Sequence, residues 1–154
     1  MFKVILKDEH FLGKGSHKKC YLHPSNTNQC IKIPYTTAGE KDLLRELTYI
    51  KVMHRKKKDY SVLPEYFGAI ETNLGTGHIY ELITDSDGSK SKTLEDFLKD
   101  DNLLEENFEM IVQLLKDLKY TLLNNQIITM GIWPENIILQ YGGGGQTPLV
   151  IDCA

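Results

Sequence analysis

Lys32 stands among apolar residues in Cys30-Ile31-Lys32-Ile33, and an ammonium group in such a strand needs an anionic partner. Glu46, in the amphipathic segment that follows, is the natural counter-ion. Glu40 lies earlier on the same segment, where an acidic side chain also suits the start of a helix. Upstream, Gly13-Lys14-Gly15-Ser16 sits between two β-rich runs, and a glycine hairpin lets backbone amides approach a phosphate chain. A Gly-x-Gly-x-x-Gly spacing is incomplete here, because Lys18 occupies the third position. Gly13, Gly15, Ser16, Lys18 and Lys32 are therefore the candidate phosphate ligands. Downstream, Asn136 follows Pro134-Glu135 and Asp152 ends Val150-Ile151-Asp152, 16 residues later. An amide oxygen and a carboxylate so placed are hard donors of the kind that hold Mg2+. Singly, each feature has a plain reading as a turn glycine, an outward-facing lysine or a cap.

Their order along the chain carries more. Glycine hairpin, strand lysine, helix glutamate, loop asparagine and strand-end aspartate succeed one another as do the phosphate- and metal-binding parts of a protein kinase. The expected fold is α+β and protein-kinase-like in two lobes. Residues 1–84 would form an N-lobe with an antiparallel sheet and one αC-type helix, and residues 85–154 a short, incomplete helical C-lobe.

The elements needed to hold these residues can be read from the pattern. Residues 3–8, 18–24 and 29–35 read as strands, with Ser25-Asn26-Thr27-Asn28 as a turn. From Ala38, Leu43, Leu47, Ile50 and Met53 recur at helical spacing and lead into the basic run His54-Arg55-Lys56-Lys57-Lys58. Residues 66–73 and 77–83 read as a hairpin around Gly75 and Gly77. The segment 86–92 reads as a polar linker, and Thr93 as the cap of a short helix. A longer helix over 105–124 presents Phe108, Ile111, Leu115, Leu118 and Leu122, ending at Asn124-Asn125. A last hairpin joins 137–141 to 148–152 across four glycines.

A chain of 154 residues with 41% apolar and 25% charged residues suits one small folded protein and argues against disorder throughout. Residues 1–60 hold 13 Lys and Arg against 6 Asp and Glu, and the remainder 5 against 15, so the first part suits an anionic ligand. Three scattered cysteines, Cys20, Cys30 and Cys153, fit neither a disulfide framework nor a zinc site. No apolar run has the length of a membrane span, and Lys7-Asp8-Glu9 interrupts any signal-like start, so a cytoplasmic protein is expected.

The segments LGKGSHKKCYLHP, QCIKI, RELTY, LPEYFGAIETNLGTGHIYELI and IITM with the following P-x-N resemble the YrbL family over nearly the entire chain. That family is described as PhoP regulatory network proteins, small bacterial relatives of protein kinases. The resemblance implies ATP bound between lobes. Gly13 and Gly15 would then lie in the phosphate loop, Lys32 and Glu46 would form the ion pair, and Asn136 and Asp152 would hold Mg2+. Glu81 to Ile83 would contact adenine through backbone groups.

The catalytic-loop equivalent is Thr129-Met130-Gly131-Ile132-Trp133-Pro134-Glu135-Asn136. Gly131 replaces the kinase aspartate and Trp133 the lysine. Lys32, Glu46 and Asp152 remain as catalytic candidates, and whether the protein is an enzyme stays open. The leading expectation is an ATP- and Mg2+-binding, pseudokinase-like protein acting through a partner. The alternatives are an atypical phosphotransferase and a basic module binding nucleic acid or protein through residues 54–58. After Asp152 the sequence lacks the usual activation loop and supporting helices. It would be part of a longer chain, or a minimal module completed by a homodimer or another protein.

Overall fold

A computed structural model describes residues 3–56, 58–129, 131–142 and 145–150, the last stretch by its backbone alone. The described residues form a mixed α+β protein with antiparallel sheets and three α-helices. The chain divides into two units, one of residues 1–49 and 65–82, the other of residues 50–64 and 83–154.

The first unit is built on a five-stranded antiparallel sheet. Its strands are β1 (Phe11–Lys14), β2 (Lys18–His23), β3 (Asn26–Pro34), β4 (Tyr66–Thr72) and β5 (Gly75–Glu81), in the order β1-β2-β3-β5-β4. Helix α1 (Thr37–Arg55) follows β3 and runs from the first unit into the second. Because strand side chains alternate in direction, the sheet packs two apolar clusters. Leu6, Tyr21, Ile31 and Ile33 form one, with Val4, Ile70 and Ile79 beside them. Cys30, Leu43 of α1 and Tyr80 form the other, joined by Cys20, Leu47, Tyr66 and Leu82. Gly77 is required in the first cluster, since a Cβ there would overlap Cγ2 of Ile31.

The strand expected over residues 3–8 is not a ladder strand. Val4 makes an isolated bridge to Thr72, and Asp8–His10 form a 3-10 turn. Its backbone is satisfied otherwise. Val4 N–H donates to Glu71 O at 2.9 Å, and Asn73 N–H to Val4 O at 3.2 Å. The Asn73 amide then brackets Leu6, accepting from its N–H at 2.7 Å and donating to its carbonyl at 3.0 Å.

The second unit holds helices α2 (Leu94–Leu98) and α3 (Asp101–Asn124), and a three-stranded sheet. That sheet is ordered β6 (Lys92–Thr93), β7 (Ile137–Gly142), β8 (Gly145–Val150). Thr93 caps α2 by accepting from Asp96 N–H, and Asp96 returns the bond to Thr93, as a capping box does. Helix α3 begins four residues before its expected start because Asp100 caps it through Leu103 N–H. Its buried residues are Ile111, Leu114, Leu118 and Leu122, whereas Phe108 is 58% exposed. The segment 86–92 is a folded turn rather than a linker. Asp85 accepts from Ser91 Oγ and from Tyr141 N–H, and Ser91 is buried.

Candidate functional site

The first unit gathers several of the expected residues on one face of its sheet. Cys20 pairs opposite Lys32, and Lys18 opposite Pro34, so Lys18, Cys20 and Lys32 point the same way. Lys32 also pairs opposite His78, and Cys30 opposite Tyr80, which continues this face across β5. Helix α1 contributes Glu46, which is 4% exposed. A carboxylate so buried demands a cation. Lys18 supplies one, with Nζ 3.1 Å from Glu46 Oε2. Lys32 directs its ammonium over the Tyr80 ring, 4.6 Å from the centroid.

His78 and Tyr66 complete the cluster, with Tyr66 Oη 3.0 Å from His78 Nδ1. Burial holds the His78 imidazole below its ordinary pKa, with Glu46 pulling upward and Lys18 downward. Burial, then Glu46, raises the Tyr66 phenol. Both side chains therefore stay neutral around the Lys18–Glu46 pair. The hydrogen bond with Cys20, reinforced by burial, raises the Cys30 thiol, which marks it as unreactive. None of Tyr35, Tyr66, His78 and Tyr80 stands out in the sequence; the alternation of β5 alone places His78 and Tyr80 on the face of Lys32.

The glycine hairpin joins β1 to β2. Gly15 N–H donates to Lys18 O at 2.9 Å and closes the turn. Tyr35, just after β3, donates its hydroxyl to the carbonyls of Gly15 and Ser16 at 2.8 and 2.6 Å. Lys14 Nζ lies 4.7 Å from the Tyr35 ring centroid. The hairpin thus rests on the β3–α1 junction, where a Cβ on Gly39 would press on the His17 carbonyl. Gly13 differs. It has no left-handed φ, and a Cβ added there would meet nothing within 4 Å. The described fold gives no steric reason for glycine at that position.

Glu81 ends β5, where its N–H donates to Glu65 O at 2.9 Å. Ile83 is buried with Ile138 in the second unit. Pro134–Asn136 form a 3-10 turn leading into β7. The Asn136 side chain donates Nδ2 to Gly131 O at 3.1 Å, and Trp133 N–H donates to the same oxygen at 2.8 Å. Gly131 is buried, while Trp133 and Glu135 are exposed. Asp152, Met130, Lys57 and Cys153 lie outside the described residues. Among the described residues no group of three or more His, Cys, Asp and Glu could hold a metal ion. None of the described helices is long and apolar enough to cross a membrane. In the basic run, Lys58 donates to Gln126 Oε1 at 2.6 Å and His54 Nδ1 lies 3.2 Å from Tyr60 Oη.

The family model described as PhoP regulatory network protein YrbL matches residues 4–154. The chain belongs to the YrbL family. Curated YrbL relatives, each called an uncharacterized protein, come from Escherichia coli (strain K12) and Shigella flexneri. Each is 43% identical over 137 residues, covering 88% of this chain and 65% of the relative. The chain thus spans about two thirds of the length of these YrbL proteins.

Proposed function

We infer that the protein binds a nucleotide, ATP with Mg2+, in a protein-kinase-like manner, and transfers phosphate slowly or not at all. The observation that carries this reading is the buried Glu46 carboxylate of α1, paired with a sheet lysine on the face that also bears Lys32. A buried ion pair is a poor way to gain stability, since apolar residues of similar volume do as well or better. Its presence beside a glycine hairpin is better explained by an anionic ligand.

Residues of the first unit support that ligand. Lys18 and Lys32 supply cations, and Gly13 leaves its hairpin strand open to close approach. Asn136, with its Nδ2 engaged by Gly131 O, has Oδ1 suited to a metal, and Asp152 would be the second donor. Bound Mg·ATP would supply the phosphoryl group. Helix α1 holds Glu46 and, through it, the Lys18 ammonium, while Gly131 fixes the asparagine rotamer. Glycine at position 131 has no side chain to accept a proton from an attacking hydroxyl, a loss of about 10²- to 10⁴-fold in rate. Signalling through a partner is the role proposed for such a protein. Phosphoryl transfer without a loop base is the second reading, favoured by the retained Asn136 geometry.

A thermal-shift titration with ATP, ADP and Mg2+ tests the proposal on wild type and Lys32→Ala. A shift present in the wild type and lost in the variant supports it, and no shift in either overturns it. ADP release that vanishes in Lys32→Ala and Asp152→Ala would favour the second reading.

A further inference from the structure

Lys18 occupies the position where a kinase glycine hairpin would have its third glycine, at the first residue of β2. A glycine there would bring no charge. Here the side chain is 12% exposed and reaches across to Glu46, whose own side chain is 3% exposed. Lys18 and Lys32 are diagonal neighbours on adjacent strands, since Lys18 faces Pro34 and Lys32 faces Cys20. Diagonal positions of an antiparallel pair lie about 7–8 Å apart, within the spread of neighbouring phosphates for long side chains. Lys18 also belongs to the hairpin itself, because its carbonyl closes the turn on Gly15 N–H. Its backbone is fixed by the phosphate loop, and its ammonium by the helix carboxylate.

We propose that Lys18 is a phosphate-binding cation in its own right, positioned by Glu46, and shares the polyphosphate of a nucleotide with Lys32. This rests on the nucleotide-binding reading above and deepens it. Glu46 is a positioning residue for Lys18: it orients the ammonium and lowers the cost of keeping it half-buried until an anion arrives. The site then selects for phosphate count, triphosphate over diphosphate over nucleoside. The rival explanation is structural, with Lys18 present only to neutralise a buried carboxylate.

Calorimetric titration of the full chain with ATP, ADP and adenosine, in Mg2+, separates the two. The proteins compared are wild type, Lys18→Met, Lys32→Met, and the double variant Lys18→Met with Glu46→Leu. The double variant removes the carboxylate that the single Lys18→Met change would leave buried, and so guards against misfolding. Loss of one charge-assisted phosphate contact should weaken ATP binding at least about ten-fold. We expect that loss in Lys18→Met and in the double variant, with adenosine bound as in wild type. If the double variant recovers wild-type ATP affinity, Lys18 is structural and the proposal falls. It also falls alone if Lys18→Met binds ATP normally while Lys32→Met does not. A wild type that binds none of the three ligands overturns the underlying nucleotide reading as well.

Discussion

Asn136 donates its side-chain amide to the carbonyl of Gly131 at 3.1 Å, so the turn before β7 is braced from within. Replacing Asn136 by Asp removes the donor and sets a carboxylate against that carbonyl. Chemical denaturation should show a loss of about 0.5–1.5 kcal/mol, the net worth of one hydrogen bond, since Gly131 O keeps the Trp133 N–H. Asn136→Ala should lose a similar amount without the repulsion. An unchanged midpoint in both would show that the brace contributes nothing.

Gly13→Ala should separate folding from binding. The added methyl meets no atom within 4 Å, and no left-handed φ opposes it. Alanine loses less backbone entropy on folding, so stability should hold or rise by about 0.5–1 kcal/mol. Nucleotide affinity should fall, because the methyl stands where a phosphate chain would approach. Equal affinity in both proteins would remove Gly13 from the site.

Tyr35→Phe should loosen the glycine hairpin while leaving the sheet intact. It deletes the hydroxyl that Gly15 and Ser16 share, and it keeps the ring beneath Lys14. Amide hydrogen exchange should speed up at residues 13–17 and not in β3 or β5. The cost in global stability should be about 1 kcal/mol.

Stability should fall on mild acidification, and His78 should account for part of it. Burial holds its pKa below the ordinary 6.5, so the unfolded chain takes up the proton first. Stability from this group is therefore full above 6.5 and is lost as pH falls through that value toward the folded-state pKa. Glu46, Lys18 and Tyr66 face the ring, and Lys32 lies opposite on β3, so the His78 effect reports on the whole cluster. His23, also lowered by burial, adds in the same direction. Melting temperatures between pH 8 and 5 should show a shallower acid slope in His78→Asn than in wild type. Identical slopes would mean that the ring titrates alike in both states.

The sequence made the first unit legible where alternation and turns agree. Strands β2 and β3, helix α1 and the β4–β5 hairpin stand close to where period and glycines put them. What it could not convey was pairing that depends on register. The letters match Glu46 with Lys32, whereas the contact of Lys18 with it follows from the offset of β2 against β3, set at the turn around residue 25. On α3, Leu114 and Leu115 are both apolar, so spacing alone cannot choose the inward one; packing chose Leu114 and left Phe108 in solvent. The segment 86–92 looked like a linker because its order depends on Asp85 meeting Tyr141, 56 residues away. Such long-range side-chain bonds to backbone leave no periodic trace.

The bracketing of Leu6 by Asn73 has a practical consequence for anyone preparing shortened variants. Beginning the chain at Asp8 would strip Val4 and Leu6 from Tyr21, Ile31 and Ile33, and would leave the backbone edge at Glu71 and Asn73 open. A bare greasy surface beside an unfilled strand edge is a recipe for clumping. Expression trials with that trim should yield mostly insoluble material, and restoring residues 3–7 should bring the protein back into solution.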